Sequence, residues 1–373
     1  MFGASPPSLL VGEWGYPRVR LGPNVPPVVG EDSIIYENPQ GWWGSQSMDE
    51  LIRLRASLIY SKFSIGVKVN DWQRATSRNR SLLEKTQELA LSIKPVDTEV
   101  QFFKAPKPRL EFDGITKPVG PTGTVKDFQI TSNPVVPKKV DYLVYDTDVL
   151  SLTAIQELYD SGISVYDIIR LLTVGLLGKR KQRSLVPTRW GITAVDANLG
   201  KLLLDKVRDY PQISEIKLYT SDYLDNHYET LLLPGEWSFE MLEIWLPRTV
   251  WAQGEEAHIT DVWEKYDGKV SAMDGGYYCM KLPVLEHLEK IKRQATVISF
   301  REVGAGYLVP LGNWHIRESV KHCFDSKPMT FPTLEAALAD IATRIQTPLK
   351  KWWRSSKVLK DYKYQKKLIQ FLN

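Results

Sequence analysis

The spacing of apolar residues changes near Ile213, and this change limits the chain to folds that combine helices with a sheet. Before Ile213, apolar residues mostly recur every three or four positions, as they do along one face of a helix. From Ile213 onward they tend to alternate with polar residues, which is typical of strands with one buried face. We therefore predict an α/β fold class with a mixed sheet and flanking helices.

Helix start signals place several elements along the chain. Ser47 and Glu50 have the spacing of a capping box, and Asp196 is the predicted N-cap of a helix that runs to Asp209. Ser164 begins a further helix cap. Helices are predicted at residues 71–93, 152–160, 165–177, 281–293 and 333–345.

Two runs of residues predict buried strands. Residues 140–145 form a nearly continuous apolar run that ends in acidic residues, which is typical of a buried strand in a largely parallel sheet. Residues 295–303 form a second such run. The two strand patterns on either side of Pro234–Gly235 predict a hairpin at that point.

Proline and glycine divide the chain into segments. The first 45 residues hold so many prolines, glycines and tryptophans that no period survives, which predicts an irregular segment wrapped over a core. Residues 101–139 also lack a clear period. We predict an N-terminal α/β domain at 1–255, a smaller C-terminal α+β domain at 256–346, and a basic tail at 347–373.

Composition excludes several classes of protein. The 373 residues include two cysteines, Cys279 and Cys323, which excludes a disulfide scaffold and fits a reducing compartment. No apolar run approaches the ~18 residues of a membrane-spanning helix. We therefore expect a cytoplasmic protein without membrane contact.

Positive charge is concentrated at the end of the sequence. Residues 344–373 include nine lysines or arginines and one acidic residue, although the whole chain has a net charge of +4. A basic tail favours an anionic partner such as DNA, with Lys350, Lys351 and Arg354 as the predicted contacts. The alternative is a solvated helix face.

Asp146 and Asp148 follow the predicted strand at 140–145, where α/β folds place ligands. Together with Asp196 they are candidate catalytic residues that could hold a divalent metal. The alternative is that the two acids cap the next helix or face water. We expect these three aspartates to converge in one cleft with a basic loop that follows at residues 179–189.

That basic loop contains five positive charges and no acidic residue. Its arginines and lysines are candidate ligands for phosphate, and Trp190 beside them could stack on a base or sugar. The alternative is a solvated loop with a core tryptophan. The candidate residues are Lys179, Arg180, Lys181, Arg183 and Arg189.

The last residues of the sequence resemble a PIP box, the peptide that docks on the sliding clamp PCNA. Three apolar residues at i, i+3 and i+4 would converge into one plug in a short helical turn. The alternative is an amphipathic helix packed on its own domain. The motif consists of Gln365, Lys366, Lys367, Leu368, Ile369, Gln370, Phe371 and Leu372.

Several long segments together resemble the archaeal Nre family of DNA repair proteins. The resemblance implies a role in DNA-damage repair and clamp binding through Gln365, Leu368, Phe371 and Leu372. No catalytic residues are carried over to this sequence from the resemblance. The matching segments are residues 5–23, 140–150, 185–196, 274–295 and 309–320.

The sequence departs from the family pattern in two places. Family members carry a cysteine-rich, zinc-binding module ahead of the first matching segment, and no such cysteines are present here. Leu372 stands where PIP boxes have a second aromatic residue, so we expect weaker clamp binding.

Two functions remain open from the sequence. The first is a DNA repair protein that docks on PCNA and acts on or near damaged DNA, either as a metal-dependent nuclease or as a non-catalytic adaptor. The second is an α/β enzyme, for example a metal-dependent hydrolase, that binds a nucleotide or another phosphate-containing ligand. In that case the C-terminal helix would be purely structural. Salt dependence separates the two, because binding through many phosphate contacts weakens steeply with salt.

Overall fold

Two six-stranded sheets organise the chain in this computed structural model, which describes residues 1–26, 28 and 30–364. One unit comprises residues 1–199 and 311–313, and the other comprises residues 200–310 and the chain from Trp314 onward. Both sheets mix parallel and antiparallel pairs and both have flanking helices, so the predicted α/β fold class is confirmed. None of the helices in the described ranges is long and apolar enough to cross a membrane.

The sheet of the first unit has the strand order β1-β5-β6-β4-β3-β2. Its one parallel pair joins β4 and β6, and the other neighbours are antiparallel. The strands are β1 (Phe2–Ser5), β2 (Leu9–Val11), β3 (Arg18–Val25), β4 (Ile59–Gly66), β5 (Val96–Phe102) and β6 (Thr122–Ile130).

Helices of the first unit begin largely where the capping residues predict. The capping box of Ser47 and Glu50 and the cap at Ser164 are both formed. The helices are α1 (Pro39–Trp42), α2 (Met48–Ser57), α3 (Val69–Arg74), α4 (Ser77–Leu91), α5 (Lys138–Tyr145), α6 (Ser151–Asp160), α7 (Val165–Thr173) and α8 (Thr188–Val207).

The sheet of the second unit has the strand order β10-β9-β11-β8-β7-β12. Its strands are β7 (Ile216–Tyr223), β8 (Asn226–Leu233), β9 (Ser238–Trp245), β10 (His258–Glu264), β11 (Thr296–Val303) and β12 (Met329–Phe331). Its helices are α9 (Gly275–Ile291), α10 (Asn313–Cys323), α11 (Leu334–Ile341), α12 (Leu349–Ser355) and α13 (Lys357–Tyr364). The predicted strand at 295–303 is confirmed, and this sheet takes strands from both sides of residue 255. The boundaries of the three predicted segments stay a prediction.

The prediction of a strand at residues 140–145 is wrong, because these residues form most of α5. Val140, Leu143 and Val144 are buried and lie at i, i+3 and i+4, which is the spacing of one helix face. Tyr142 and Tyr145 are exposed on the other face. Their apolar rings made the run look continuous and concealed the helical period.

The predicted hairpin at Pro234–Gly235 is also wrong. β11 lies between β8 and β9, so the two strands are not neighbours. β8 instead forms a hairpin with β7 through Leu224 and Asp225, whose φ angles are 53° and 55°. Two-residue turns with positive φ at both positions match the twist of the paired strands, even though the sequence lacks the usual glycine.

The N-terminal segment contains three strands in addition to irregular chain. Gly22 in β3 comes so close to β4 that a side-chain Cβ would lie 1.8 Å from the carbonyl oxygen of Ser61. Gly22 contributes to the prediction of an irregular segment, but in the structure it is a strand residue. Glycine is required there because the neighbouring strand leaves no room for a side chain. The predicted helix at 71–93 is likewise two helices, because Thr76 caps α4 by accepting a hydrogen bond from the amide of Asn79.

Candidate functional site

A cleft of about 660 Å³ lies in the first unit, at the C-terminal end of α5. It is lined by α4, by α5, by the segment at residues 134–136 and by the loops at residues 147 and 176–183. The charged lining residues are Glu84, Glu88, Asp141, Arg180 and Arg183. The cleft therefore presents both signs of charge.

Asp146 and Asp148 lie in the loop between α5 and α6. The Oδ1 atom of Asp146 accepts hydrogen bonds from the amides of Asp148 and Val149, at 2.9 and 3.1 Å. This is an Asx turn, in which the carboxylate fixes its own loop. Asp148 is exposed. Asp148 thus faces water, as in the alternative, whereas Asp146 fixes its own loop and does not cap α6.

Asp196 lies in the middle of α8 and not at its start, because the helix begins eight residues earlier at Thr188. Its side chain is 1% exposed. In the part of the chain that the structure describes, no group of three or more His, Cys, Asp or Glu residues is placed to hold a metal ion. The predicted convergence of Asp146, Asp148 and Asp196 is therefore corrected: the three aspartates do not form a metal site.

Arg183 joins the basic loop to the loop of Asp146. Its guanidinium donates hydrogen bonds to the carbonyl oxygens of Gly178, Val144 and Asp146, at 2.8, 2.7 and 3.2 Å. Burial and the nearby Arg180 lower the pKa of Arg183. The backbone amide of Arg180 adds a hydrogen bond to the Thr147 carbonyl at 3.0 Å. The two loops are thus in contact, and Arg183 holds them together.

The guanidinium of Arg189 forms ion pairs with carboxylates of its own unit. It forms an ion pair with Glu13 at 3.1 Å and lies 4.0 Å from Asp113. The ring of Trp190 packs against Tyr16 with 5.1 Å between ring centroids. These contacts give both residues a structural role in fixing the N-terminal segment.

Three cations of the basic loop remain at the surface. Lys179, Arg180 and Lys181 are exposed, and within residues 1–26, 28 and 30–364 none of them forms an ion pair with a carboxylate. These side chains are free to contact an anion. Of the five basic residues predicted from the sequence, the structure leaves these three available.

The basic segment before the PIP-like motif is folded onto the second sheet as far as Tyr364. Trp352 is fully buried and meets Phe300 of β11 edge-on, with 5.1 Å between ring centroids. Val358 and Leu359 of α13 are also buried in this core. Residues 349–364 of the predicted basic tail are therefore folded into the second unit.

Glu240 of β9 fixes the start of α13. Its carboxylate accepts hydrogen bonds from the hydroxyl of Ser356 and from the amides of Lys357 and Val358, the latter two at 2.7 and 3.3 Å. Burial raises the pKa of Glu240. A carboxylate at a helix N-terminus satisfies amides that have no partner within the helix.

Lys350, Lys351 and Arg354 lie on α12 and are exposed. Their spacing of three and four residues places Arg354 beside both lysines on one side of the helix. None of the three pairs with a carboxylate among residues 30–364, whereas Lys357 pairs with Asp261 at 2.9 Å. This exposed set is a candidate contact surface for phosphates.

The PIP-like motif begins at the residue after Tyr364 and lies outside the described residues. Gln365, Lys366, Lys367, Leu368, Ile369, Gln370, Phe371 and Leu372 therefore remain a prediction from sequence.

A network of charges around the buried Glu229 in the second unit is not predicted by the sequence. His227 contacts Asp222 at 2.6 Å and Glu229 at 2.8 Å, and Glu229 also accepts from Arg344 at 2.6 Å. Burial opposes the charge on His227, but its two carboxylate hydrogen bonds raise its pKa to about 9. The partners are far apart in sequence, so spacing alone gives no signal for them.

A second buried cation, Arg301, is paired across the same sheet. Its guanidinium contacts Glu243 at 2.5 Å and Asn226 at 2.7 Å. The ring of Trp245 lies 5.3 Å away. Arg301 and Glu243 are in register on the parallel strands β11 and β9. The sequence signal available was a charged residue within each of two apolar strands.

Comparison with known proteins identifies relatives along the whole chain. The family model described as "Archaeal Nre, N-terminal" matches residues 1–252, and "Archaeal Nre, C-terminal" matches residues 264–371. The chain is 35% identical to DNA repair protein NreB of Archaeoglobus fulgidus, over 100% of this chain and 92% of that protein.

Two further relatives also match over most of the chain. The chain is 34% identical to DNA repair protein NreA of Archaeoglobus fulgidus, over 94% of this chain and 86% of that protein. It is 33% identical to DNA repair protein NreA of Haloferax volcanii, over 94% and 84%. No solved structure matches the chain.

Proposed function

Because the chain belongs to the archaeal Nre family, whose curated relatives are named DNA repair proteins, we propose that it is a DNA repair protein that docks on PCNA. Docking uses the motif at residues 365–372, and the folded chain acts on or near damaged DNA. Its place of action is the cytoplasm, where both clamp and DNA are found. The observation that carries the repair role is the family match along the whole chain.

The packing of α13 supports a role of the motif in docking. Glu240 and the buried Val358 and Leu359 hold this helix on the second sheet, and the helix is described as far as Tyr364. The motif starts at the next residue of the sequence, so no long linker separates it in sequence from this helix. A short connection of this kind keeps the protein at high local concentration near the clamp and the DNA that passes through it.

The motif itself supplies the apolar anchors. Leu368, Phe371 and Leu372 converge on one side if the peptide forms a helical turn on the clamp, and Gln365 fills a polar position. A few anchors dominate the affinity of such interfaces, and an aromatic residue is usually the largest. We expect Phe371 to have that role.

A synthetic peptide of residues 361–373 titrated into purified PCNA by calorimetry tests the proposal. We expect saturable binding, and we expect no binding by a matched peptide with Phe371→Ala and Leu372→Ala. Absence of heat with the unaltered peptide, together with failure to compete with a known clamp ligand, would contradict clamp docking.

The exposed cations supply contacts to DNA. Lys350, Lys351 and Arg354 on α12 form one basic group, and Lys179–Lys181 in the first unit form another. Such side chains bind phosphates and carry no base information, so this component of DNA binding is independent of sequence.

The alternative function is binding of a nucleotide or another phosphate-containing ligand in the cleft of the first unit. Its volume of about 660 Å³ is in the range of small-molecule sites, and Arg180 at its lining is exposed. A thermal-shift panel of nucleoside mono-, di- and triphosphates tests this function, with Arg180→Gln as the matched variant. Stabilisation that is lost in the variant would favour it, and no stabilisation at millimolar ligand would exclude it.

A further inference from the structure

The outer face of the first sheet carries cations at neighbouring positions. In β3, Val19 and Leu21 are buried in the core. Arg18 and Arg20, which alternate with them along the strand, are exposed. In β4, Lys62 precedes the buried Phe63 and so lies on the opposite face from the core. Alternation along both strands therefore directs basic side chains to the same outer face.

The strand register brings further cations to Lys62. Its Nζ lies 3.4 Å from the hydroxyl of Thr122 on β6, and Thr122 is also bridged through the backbone to Lys107. Arg20 is in register with Ser64, two residues from Lys62 on β4. Arg109 follows Lys107 in the same loop. Four cations thus meet across β3, β4 and the first residue of β6.

Little negative charge balances this group. Arg109 pairs with Glu111, and within the described ranges Arg20, Lys62 and Lys107 form no ion pair. Partial burial and the charges of Arg20, Arg109 and Lys107 together lower the pKa of Lys62. A cation whose pKa is lowered by neighbouring cations lies in a positive potential, which favours a polyanion.

An exposed aromatic ring lies beside these cations. The amide of Phe103 donates to the carbonyl oxygen of Thr124 at 3.1 Å, and Thr124 is in register with Lys62. Phe103 is 55% exposed, and the Arg78 guanidinium stacks over its ring at 4.7 Å. Aromatic rings beside basic grooves are the stacking platforms on which proteins bind unpaired bases.

We propose that this surface, the basic face formed by Arg20, Lys62, Lys107, Arg109 and Phe103, binds single-stranded DNA. The cations contact successive phosphates, and Phe103 stacks on one base. A paired base in a duplex has no free face for such a ring, so the aromatic contact selects single strands. This inference rests on the proposed action at DNA and is independent of clamp docking.

Fluorescence anisotropy with the full chain and a labelled oligothymidine single strand tests the basic face across a series of salt concentrations. Arg20→Gln with Lys107→Gln removes two exposed cations without touching the core. We expect weaker binding and a salt slope reduced by about 1.4, from ~0.7 per phosphate contact on single strands. Arg53→Gln with Lys94→Gln removes the same charge elsewhere in the unit and serves as the matched control.

Phe103→Ala tests the stacking contact separately. We expect about tenfold weaker binding to the single strand, with an unchanged salt slope and little change for a duplex of the same length. Unchanged affinity in both the Phe103 and the Arg20/Lys107 variants, with wild-type binding intact, would overturn the basic face and leave the repair role standing. Absence of DNA binding by the wild-type chain would overturn both.

Discussion

The buried carboxylate of Glu240 holds the start of α13, the last helix that the structure describes. Glu240 lies in β9 with no exposed surface, and its oxygens accept from Ser356 and from two amides at the start of α13. Without it, these donors would be buried with no acceptor. The start of α13 therefore depends on a single side chain more than a hundred residues away in sequence.

Glu240→Ala is expected to lower the free energy of unfolding by about 1–3 kcal/mol, the cost of leaving buried donors unsatisfied. Glu240→Gln keeps one acceptor oxygen and should cost less. Urea denaturation of the two variants measures both values. Equal stability of wild type and Glu240→Ala would show that the carboxylate does not hold α13.

His227 makes stability depend on pH in the alkaline range. Its folded-state pKa of about 9 is above the ordinary value of 6.5, so its charged form is stabilised by folding. This contribution is fully present below pH 6.5 and is lost as pH rises through 9. We expect the melting temperature to fall over that interval by more in the wild type than in His227→Gln. Parallel pH profiles of the two proteins would contradict this.

At the scale of elements, the sequence predicts helices with caps better than strands with partners. The helix cap at Ser164 and the strand at 295–303 were found because their signals are local. The insertion of β11 between β8 and β9 is a long-range pairing, which no local pattern reveals. The helix at residues 138–145 was missed because exposed tyrosines resemble buried residues in a simple apolar count.

For the candidate sites, too, local sequence patterns do not reveal most contacts between segments that are distant in sequence. The contact of the Asp146 loop with the basic loop joins segments about forty residues apart and was anticipated from sequence. The basic face of the first sheet was not anticipated, because its cations come from three separate segments and meet only through strand register. The packing of α12 and α13 on the second sheet is not predicted, because the charges of these helices conceal the buried Trp352 and Leu359.

Helix α12 gives a test of DNA binding that leaves the fold intact. Lys350, Lys351 and Arg354 are exposed, so replacing all three by Gln should not change the melting temperature. We expect weaker duplex binding and a salt slope reduced by up to about 2.7, from ~0.9 per phosphate contact. Deletion of residues 350–373 is not an equivalent test, because it would remove the buried Trp352. An unchanged slope would exclude α12 from the DNA contact.

For the whole molecule, we propose that a folded body acts at DNA and that a motif docks on the clamp. The family models match residues 1–252 and 264–371, and the motif follows α13 directly in the sequence. Each part has its own test, because the proposed clamp contact lies in residues 365–372 and the proposed DNA contacts are exposed cations elsewhere in the chain. The two activities should therefore be separable by substitution.

The central claim is clamp docking, and calorimetry of the full chain with PCNA measures it directly. Truncation of an interface anchor costs on the order of 2 kcal/mol or more, roughly thirtyfold in affinity. We predict that the wild-type chain binds PCNA and that Phe371→Ala with Leu372→Ala abolishes binding without changing the melting temperature. No binding by the wild type, together with a clear loss of stability in the variant, would show instead that Phe371 belongs to the protein's own core.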